Sequence, residues 1–169
     1  MESTAPLASS VSVAYLQGLL DYLDRQGFAS SDLLAKVQLS PSLLGQRDQR
    51  VAASAYLELL AEGVRLTGDE QLGLHLGEAI RPGYYGVLGY LMLSCATRPD
   101  ALHRPARYAP LVGNLGRVEL DEEPPREGLE PQVVHSWHPS LPQHQRLHAE
   151  ETLAGWVTFG HWISGLTVP

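Results

Sequence analysis

The sequence predicts an α+β domain, predominantly helical, with a small antiparallel β-hairpin between the central helices and a long final helix. Three observations carry that prediction. Between Val11 and Ile80, apolar residues return at three- and four-residue intervals. From Tyr84 to Ala96 the chain is apolar on nearly every side, and a helix without a polar face has to be enclosed by other elements. After Asn114 the spacing changes to alternation, the signature of a strand with one buried face.

The front part, residues 11–80, is expected to be helical throughout, after a loose tail over residues 1–10. Val13, Leu16, Leu20 and Leu23 line one side of a first helix, Gln17, Asp21 and Asp24 the other, and Gly27 stops it. A short helix is expected from Ser31 to Val37. Ser40 then caps a turn whose first helical residue is Pro41. Residues 44–50 are polar and read as a connection. Val51 to Leu66 is predicted as a strong helix with Tyr56, Leu59, Leu60 and Val64 inward and Glu58 and Glu62 outward. Thr67-Gly68-Asp69 is a turn before a further helix from Glu70 to Ile80, and links this short make antiparallel neighbours.

The central helices occupy residues 84–112. The apolar run gives the first; Thr97, with Asp100 three residues later, is a capping-box-like start for the second. Pro105 is expected to kink or break that second helix, and Pro110 to end it. The hairpin spans residues 115–138. Val118 and Leu120 alternate with Arg117, Glu119 and Asp121; Val133, His135 and Trp137 alternate with Val134, Ser136 and His138. EEPPREGLE is the loop between them. The final helix covers residues 143–164, Gly165 ends it, and LTVP reads as the opening of a further strand, so a truncated chain is expected.

With 169 residues the chain is expected to be one domain, 1–169. Its 44% hydrophobic and 18% charged residues are those of a globular protein. Net charge is −7, Lys36 is the single lysine, and no basic cluster occurs, which excludes a phosphate-tracking surface in this stretch. One cysteine, Cys95, rules out an intramolecular disulfide and fits a reducing compartment. The first residues lack a basic n-region, and no run approaches the roughly 18 apolar residues of a membrane span. A cytoplasmic protein without a membrane partner is expected.

Chemistry-bearing patterns are few. His135, His138, His144 and His148 lie close in sequence, and the last two, four apart on a helix, share one face, as two metal ligands would. The alternative is solvated or hydrogen-bonded histidines; a metal sensor needs a third convergent ligand. GYYGVLG follows a helix and lacks the Lys-Ser/Thr ending of a phosphate loop, so its glycines are read as permitting close helix approach. There is no nucleophile elbow, Cys95 has no electropositive neighbour, and adjacent Glu150 and Glu151 point about 100° apart on a helix. No enzyme and no cofactor are expected. The aromatic residues Tyr84, Tyr85, Tyr90, Tyr108, Trp137, Trp156 and Trp162 suit either core packing or a small-molecule pocket with polar handles. Arg107, set among apolar neighbours, needs a carboxylate partner, and Glu150 is the internal candidate.

LLAEGVRLTGDEQLGLHLGEAIRPG, GVLGYLMLSCAT, and AL followed by RYAPLVGN occur in that order. Together they resemble the N-terminal effector domain of AraC-type transcription regulators, in the subgroup that includes ornithine-utilisation regulators. The resemblance covers about the last two-thirds of the chain; Pro105 and Pro110 depart from the pattern. It implies a domain that senses a small-molecule effector, such as an amino acid, or mediates homodimerisation. It also implies DNA contact only through a C-terminal helix-turn-helix domain that this chain lacks. A ligand-free dimerisation module and a histidine-based metal sensor are the alternatives. The candidate ligand-binding residues are Tyr84, Tyr108, Arg107, His135, Trp137, Glu150 and Trp156.

Overall fold

In a computed structural model of the chain, the described residues are 9–95, 107–123, 132–139 and 145–164. They form the mostly helical α+β architecture that the patterning predicts. The element order is β1 (Ser10–Ser12), α1 (Val13–Arg25), α2 (Ser30–Lys36), a 3₁₀ turn over Pro41–Gly45, β2 (Arg50–Ala52), α3 (Ala53–Thr67) and α4 (Leu72–Glu78). A second 3₁₀ turn over Pro82–Tyr85 leads into α5 (Val87–Leu93). Helical residues 107–112 (α6), the hairpin strands β3 (Gly116–Glu123) and β4 (Gln132–Pro139), and α7 (Gln145–Ser164) complete the series.

Local chemistry sets the front boundaries. Ser12 Oγ accepts the Tyr15 N–H at 3.2 Å, so α1 starts after this cap rather than at Val11. The expected loose tail is pinned at its end. Ser10–Ser12 pairs antiparallel with Arg50–Ala52, Val11 opposite Val51, and Val11 also bridges Gly113. Ser10 N–H donates to Asn114 Oδ1 at 2.5 Å, and Asn114 N–H returns a bond to Ser10 O at 3.0 Å. Val51 and Ala52, read as the first turn of α3, therefore belong to a strand; three-residue strands are too short to show alternation. Gly68 ends α3 in the left-handed conformation, φ 69°, which glycine adopts without steric cost.

The core is a continuous aliphatic cluster. Leu16, Leu20 and Leu23 of α1 meet Leu33 and Leu34 of α2, Leu59 and Leu60 of α3, and Leu72 of α4. α4 and α7 cross very closely because small residues line the contact. A Cβ added at Gly73 would lie 2.2 Å from Leu147 O, and one at Gly77 would lie 2.5 Å from Ala154 Cβ.

The apolar central run differs from its expected form. Among its described residues only Val87–Leu93 is α-helical, behind the 3₁₀ turn, and the element is not enclosed: Leu88 and Met92 are buried, whereas Val87 is 71% and Tyr90 63% exposed. Gly86, at φ 58° and ψ −139°, breaks the helical geometry between Tyr85 and Val87. Its glycine spacing serves an approach to backbone, since a Cβ at Gly89 would meet Pro82 O at 1.9 Å. Pro110 does not end the helix: helical geometry runs on to Val112, the end of the expected central-helix range, and Gly113 N–H bonds Ala109 O at 3.0 Å. The capping-box start at Thr97, the Pro105 break and the EEPPREGLE loop apart from Glu122 and Glu123 lie outside the described residues. The hairpin pairs Gly116 with Pro139 through Glu123 with Gln132, antiparallel. Among the described residues no helix is long and apolar enough to cross a membrane.

Candidate functional site

A buried polar cluster sits on the inner face of α7. Leu147, His148, Glu151, Gly155 and Phe159 fall on one side of this helix and are all buried. Glu151 is 4% exposed and His148 6%. A carboxylate so enclosed requires partners, because its desolvation is otherwise prohibitive. Glu151 Oε1 accepts the Tyr56 hydroxyl at 2.5 Å, and Oε2 lies 3.1 Å from His148 Nδ1. Three tyrosines from three different elements close the cage: Tyr15 of α1, Tyr56 of α3 and Tyr85 of the second 3₁₀ turn. Tyr15 stacks obliquely on Tyr56 with centroids 5.3 Å apart and on Tyr85 at 6.0 Å, and His148 stands edge-on to Tyr15 and Tyr56.

Burial, then the charge of Glu151, pushes the Tyr15 and Tyr56 hydroxyls well above their ordinary value of 10.0 and raises Tyr85 for the same reasons. All three are therefore fixed as neutral hydroxyls at physiological pH. A hydroxyl donating to a carboxylate in a low-dielectric interior is worth about 1.5–3 kcal/mol net.

The cluster forms the polar end of a cavity of about 80 Å³. Tyr15, His148 and Thr152 supply the polar groups; Leu88 and Met92 of α5, Val112 of α6, Leu115, Trp156 and Phe159 supply apolar wall. Glu151 stands behind Tyr15 and His148 and holds them in place. Chemically, this arrangement can seat a small, mostly apolar group and orient one polar group at its end.

Of the residues predicted for a site, Trp156 lines this cavity. Tyr84 is buried elsewhere; its hydroxyl donates to Asp21 Oδ2 at 2.8 Å and its ring packs on Gly18. Arg107 is exposed and lies over the Tyr108 ring at 5.5 Å, so it is not enclosed and does not pair with Glu150. Glu150 takes Arg146 instead, at 2.9 Å, one helical turn away. Tyr108 is half-buried against the core outside the cavity wall. For His135 and Trp137 only the backbone is described; they stand opposite Leu120 and Val118 in the hairpin. Of the histidine quartet, His148 faces inward, His138 meets Glu119 at 3.1 Å, and His144 lies outside the described residues. Among the described residues no three His, Cys, Asp or Glu side chains could hold a metal.

Tyr15, Tyr56 and Glu151 were missed as site residues. The signal for Glu151 was present: it falls four residues after Leu147 and four before Gly155, which precedes Phe159 by four more, placing it on the buried stripe. Glu150, one position earlier, turns about 100° away from that stripe.

Residues 27–169 match the family model described as the arabinose-binding domain of AraC transcription regulators, N-terminal. Over 113 residues the chain is 29% identical to the ornithine utilization regulator of Pseudomonas aeruginosa, covering 67% of this chain and 33% of that relative. The chain thus spans about a third of the length of the curated relative it matches.

Proposed function

The chain belongs to the N-terminal arabinose-binding-domain family of AraC-type transcription regulators, and on that premise we propose that it senses a small metabolite, part of which enters the cavity beneath α5. That family is one of regulatory domains, not of enzymes. A single observation supports the sensing reading: the Glu151-anchored Tyr15–Tyr56–Tyr85–His148 cluster lies at the end of an otherwise apolar cavity. A pure packing core has no need to bury a carboxylate, and buried polar networks are costly unless each member is satisfied. The printed name of the relative makes ornithine, or another amino acid, the first effector to test.

In this reading, residues 1–169 act as one sensor unit. A helix-turn-helix part elsewhere in the full-length protein contacts DNA, and homodimerisation presents two such parts together. The effector acts by population shift, binding one conformation better and so biasing how the DNA-binding half is held.

The experiment is a thermal-shift screen against amino acids, polyamines, small carboxylates and divalent metals, with Ala109→Phe as the control that fills the cavity. A ligand at about a hundred times its dissociation constant adds roughly 2.7 kcal/mol. The sensing reading expects a metabolite hit that Ala109→Phe abolishes. Silence across the panel, together with a dimer on a sizing column, would replace it with the ligand-free dimerisation module.

A further inference from the structure

The cavity is small, about 80 Å³ against roughly 150 Å³ for an engineered cavity that takes up benzene, so it suits the apolar part of a metabolite rather than the whole. Beside it lies a much larger open groove, about 580 Å³, which runs along the outer side of α5. Tyr85 borders both. One aromatic ring therefore stands between the inner space and the outer one. It ends a 3₁₀ turn and precedes Gly86, whose backbone conformation is accessible essentially to glycine alone.

The groove carries a chemistry of its own. Arg47 and Arg50 both line it. Arg47 donates to Gln17 Oε1 at 3.1 Å and to Gly83 O at 2.9 Å; Arg50 donates to Ser10 Oγ, Ser10 O and Leu111 O at 2.8, 2.9 and 3.0 Å. Every one of these acceptors is a neutral oxygen. Arg65, Arg117 and Arg146 are each tied to a glutamate, but among the described residues neither groove arginine meets a carboxylate. A guanidinium has five N–H donors, so both retain capacity. The Tyr90 hydroxyl joins them: a Cβ on Gly83 would lie 3.4 Å from it and 4.0 Å from Arg47 Nη2, so both groups overhang the same bare backbone. Asp48 also borders the groove, leaving the two guanidiniums in excess by one charge. That balance suits a monoanion better than a dianion. Exposed Val87, Tyr90 and Leu111 give the groove its apolar wall.

We propose that groove and cavity are two halves of one site for a small carboxylate on an apolar chain. The carboxylate lies on Arg47 and Arg50, and the chain passes Tyr85 into the cavity. This rests on the sensing function proposed above and adds the ligand's charge and the residues that read it. Arginine forks match a carboxylate in two parallel hydrogen bonds, which fixes the head while the chain is buried.

The test is isothermal titration with octanoate, octylamine and 1-octanol, which share a chain and differ in the head group. The protein is expected to bind octanoate at least roughly tenfold more tightly than either of the others, the effect of about one charge-assisted contact. Arg47→Gln combined with Arg50→Gln should erase that preference. Because both arginines also tie α1 and β1 in place, Val87→Glu gives an independent check. It sets a carboxylate on an exposed groove wall, and should weaken octanoate while favouring octylamine. Equal binding of all three compounds, or an octanoate preference that survives both variants, overturns the proposal. If a metabolite still stabilises the protein in an Ala109-dependent way, sensing stands and only the carboxylate assignment falls; if none does, both fall.

Discussion

α3 and α7 face the same interior with opposite logic. α3 turns Tyr56, Leu57, Leu59 and Leu60 inward and Glu58 outward, the ordinary amphipathic arrangement. α7 buries His148 and Glu151 and shows solvent Leu153, Val157 and Trp162. The two meet where the Tyr56 hydroxyl donates to Glu151. An apolar stripe marks a buried face when packing is all the face must do. A helix that carries polar groups inward for a site loses that mark, and its sequence reads as weakly amphipathic even though one side is fully enclosed.

The comparison is broken most strongly at Glu151. Glu151→Ala leaves the Tyr56 hydroxyl and the His148 ring without their acceptor, and should cost about 3–5 kcal/mol in chemical denaturation. Glu58→Ala on the outer side of α3 should change stability by under about 0.5 kcal/mol. Equal losses would mean that the cluster does not bear on stability.

Next in size is the α4–α7 contact. Gly77→Ala drives a methyl to 2.5 Å from Ala154 Cβ and 2.6 Å from Glu151 O, pushing α7 off its seat at about 1–3 kcal/mol. Gly63→Ala on α3 meets only the ends of Leu72 and Leu23 side chains, which can move, and should cost less.

Alkaline titration sharpens the same contrast. Tyr15, Tyr56 and Tyr85 have folded values raised above 10.0, so their contribution is intact below pH 10 and lost as pH rises above it. In that window the unfolded chain releases protons that the folded chain retains, and stability falls by about 1.4 kcal/mol per pH unit for each tyrosine. Denaturation midpoints measured from pH 9 upward should steepen beyond pH 10, and less so in Tyr56→Phe. The smallest effect is expected at Val157→Ser, 61% exposed, at under about 0.5 kcal/mol. A larger, concentration-dependent loss would show that the outer face of α7 packs on a second copy.

Helix order, the turn at Gly68, the capping serine Ser40 and the alternation of the two hairpin strands could be read from local chemistry, whereas the Ser12 cap was not picked out. Each of these signals is carried by residues within one short stretch of chain. The site could be read only in part. Trp156 was found because aromatic residues with polar handles are general pocket material. Tyr15 was not singled out, and Tyr56 was absorbed into a helical stripe, where a tyrosine and a leucine look alike. Glu150 was chosen over Glu151 because local pattern does not say which neighbour an interior partner will claim. β1 and β2 escaped for a related reason: Ser10–Ser12 and Arg50–Ala52 are strands only because each lies beside the other.

The sequence by itself therefore determined the class of fold, most of its helices, the hairpin and the family, since periodicity, caps and breakers act over one or two turns of chain. Tertiary structure alone decided the rest. It brought Tyr15, Tyr56, Tyr85 and His148 from four elements around the Glu151 carboxylate, and it placed Tyr85 between an inner cavity and an arginine-lined groove. The physical reason is the cost of burying charge. A carboxylate enters the interior only where distant hydroxyls and an imidazole converge on it, and that convergence is a property of packed helices rather than of any stretch of chain.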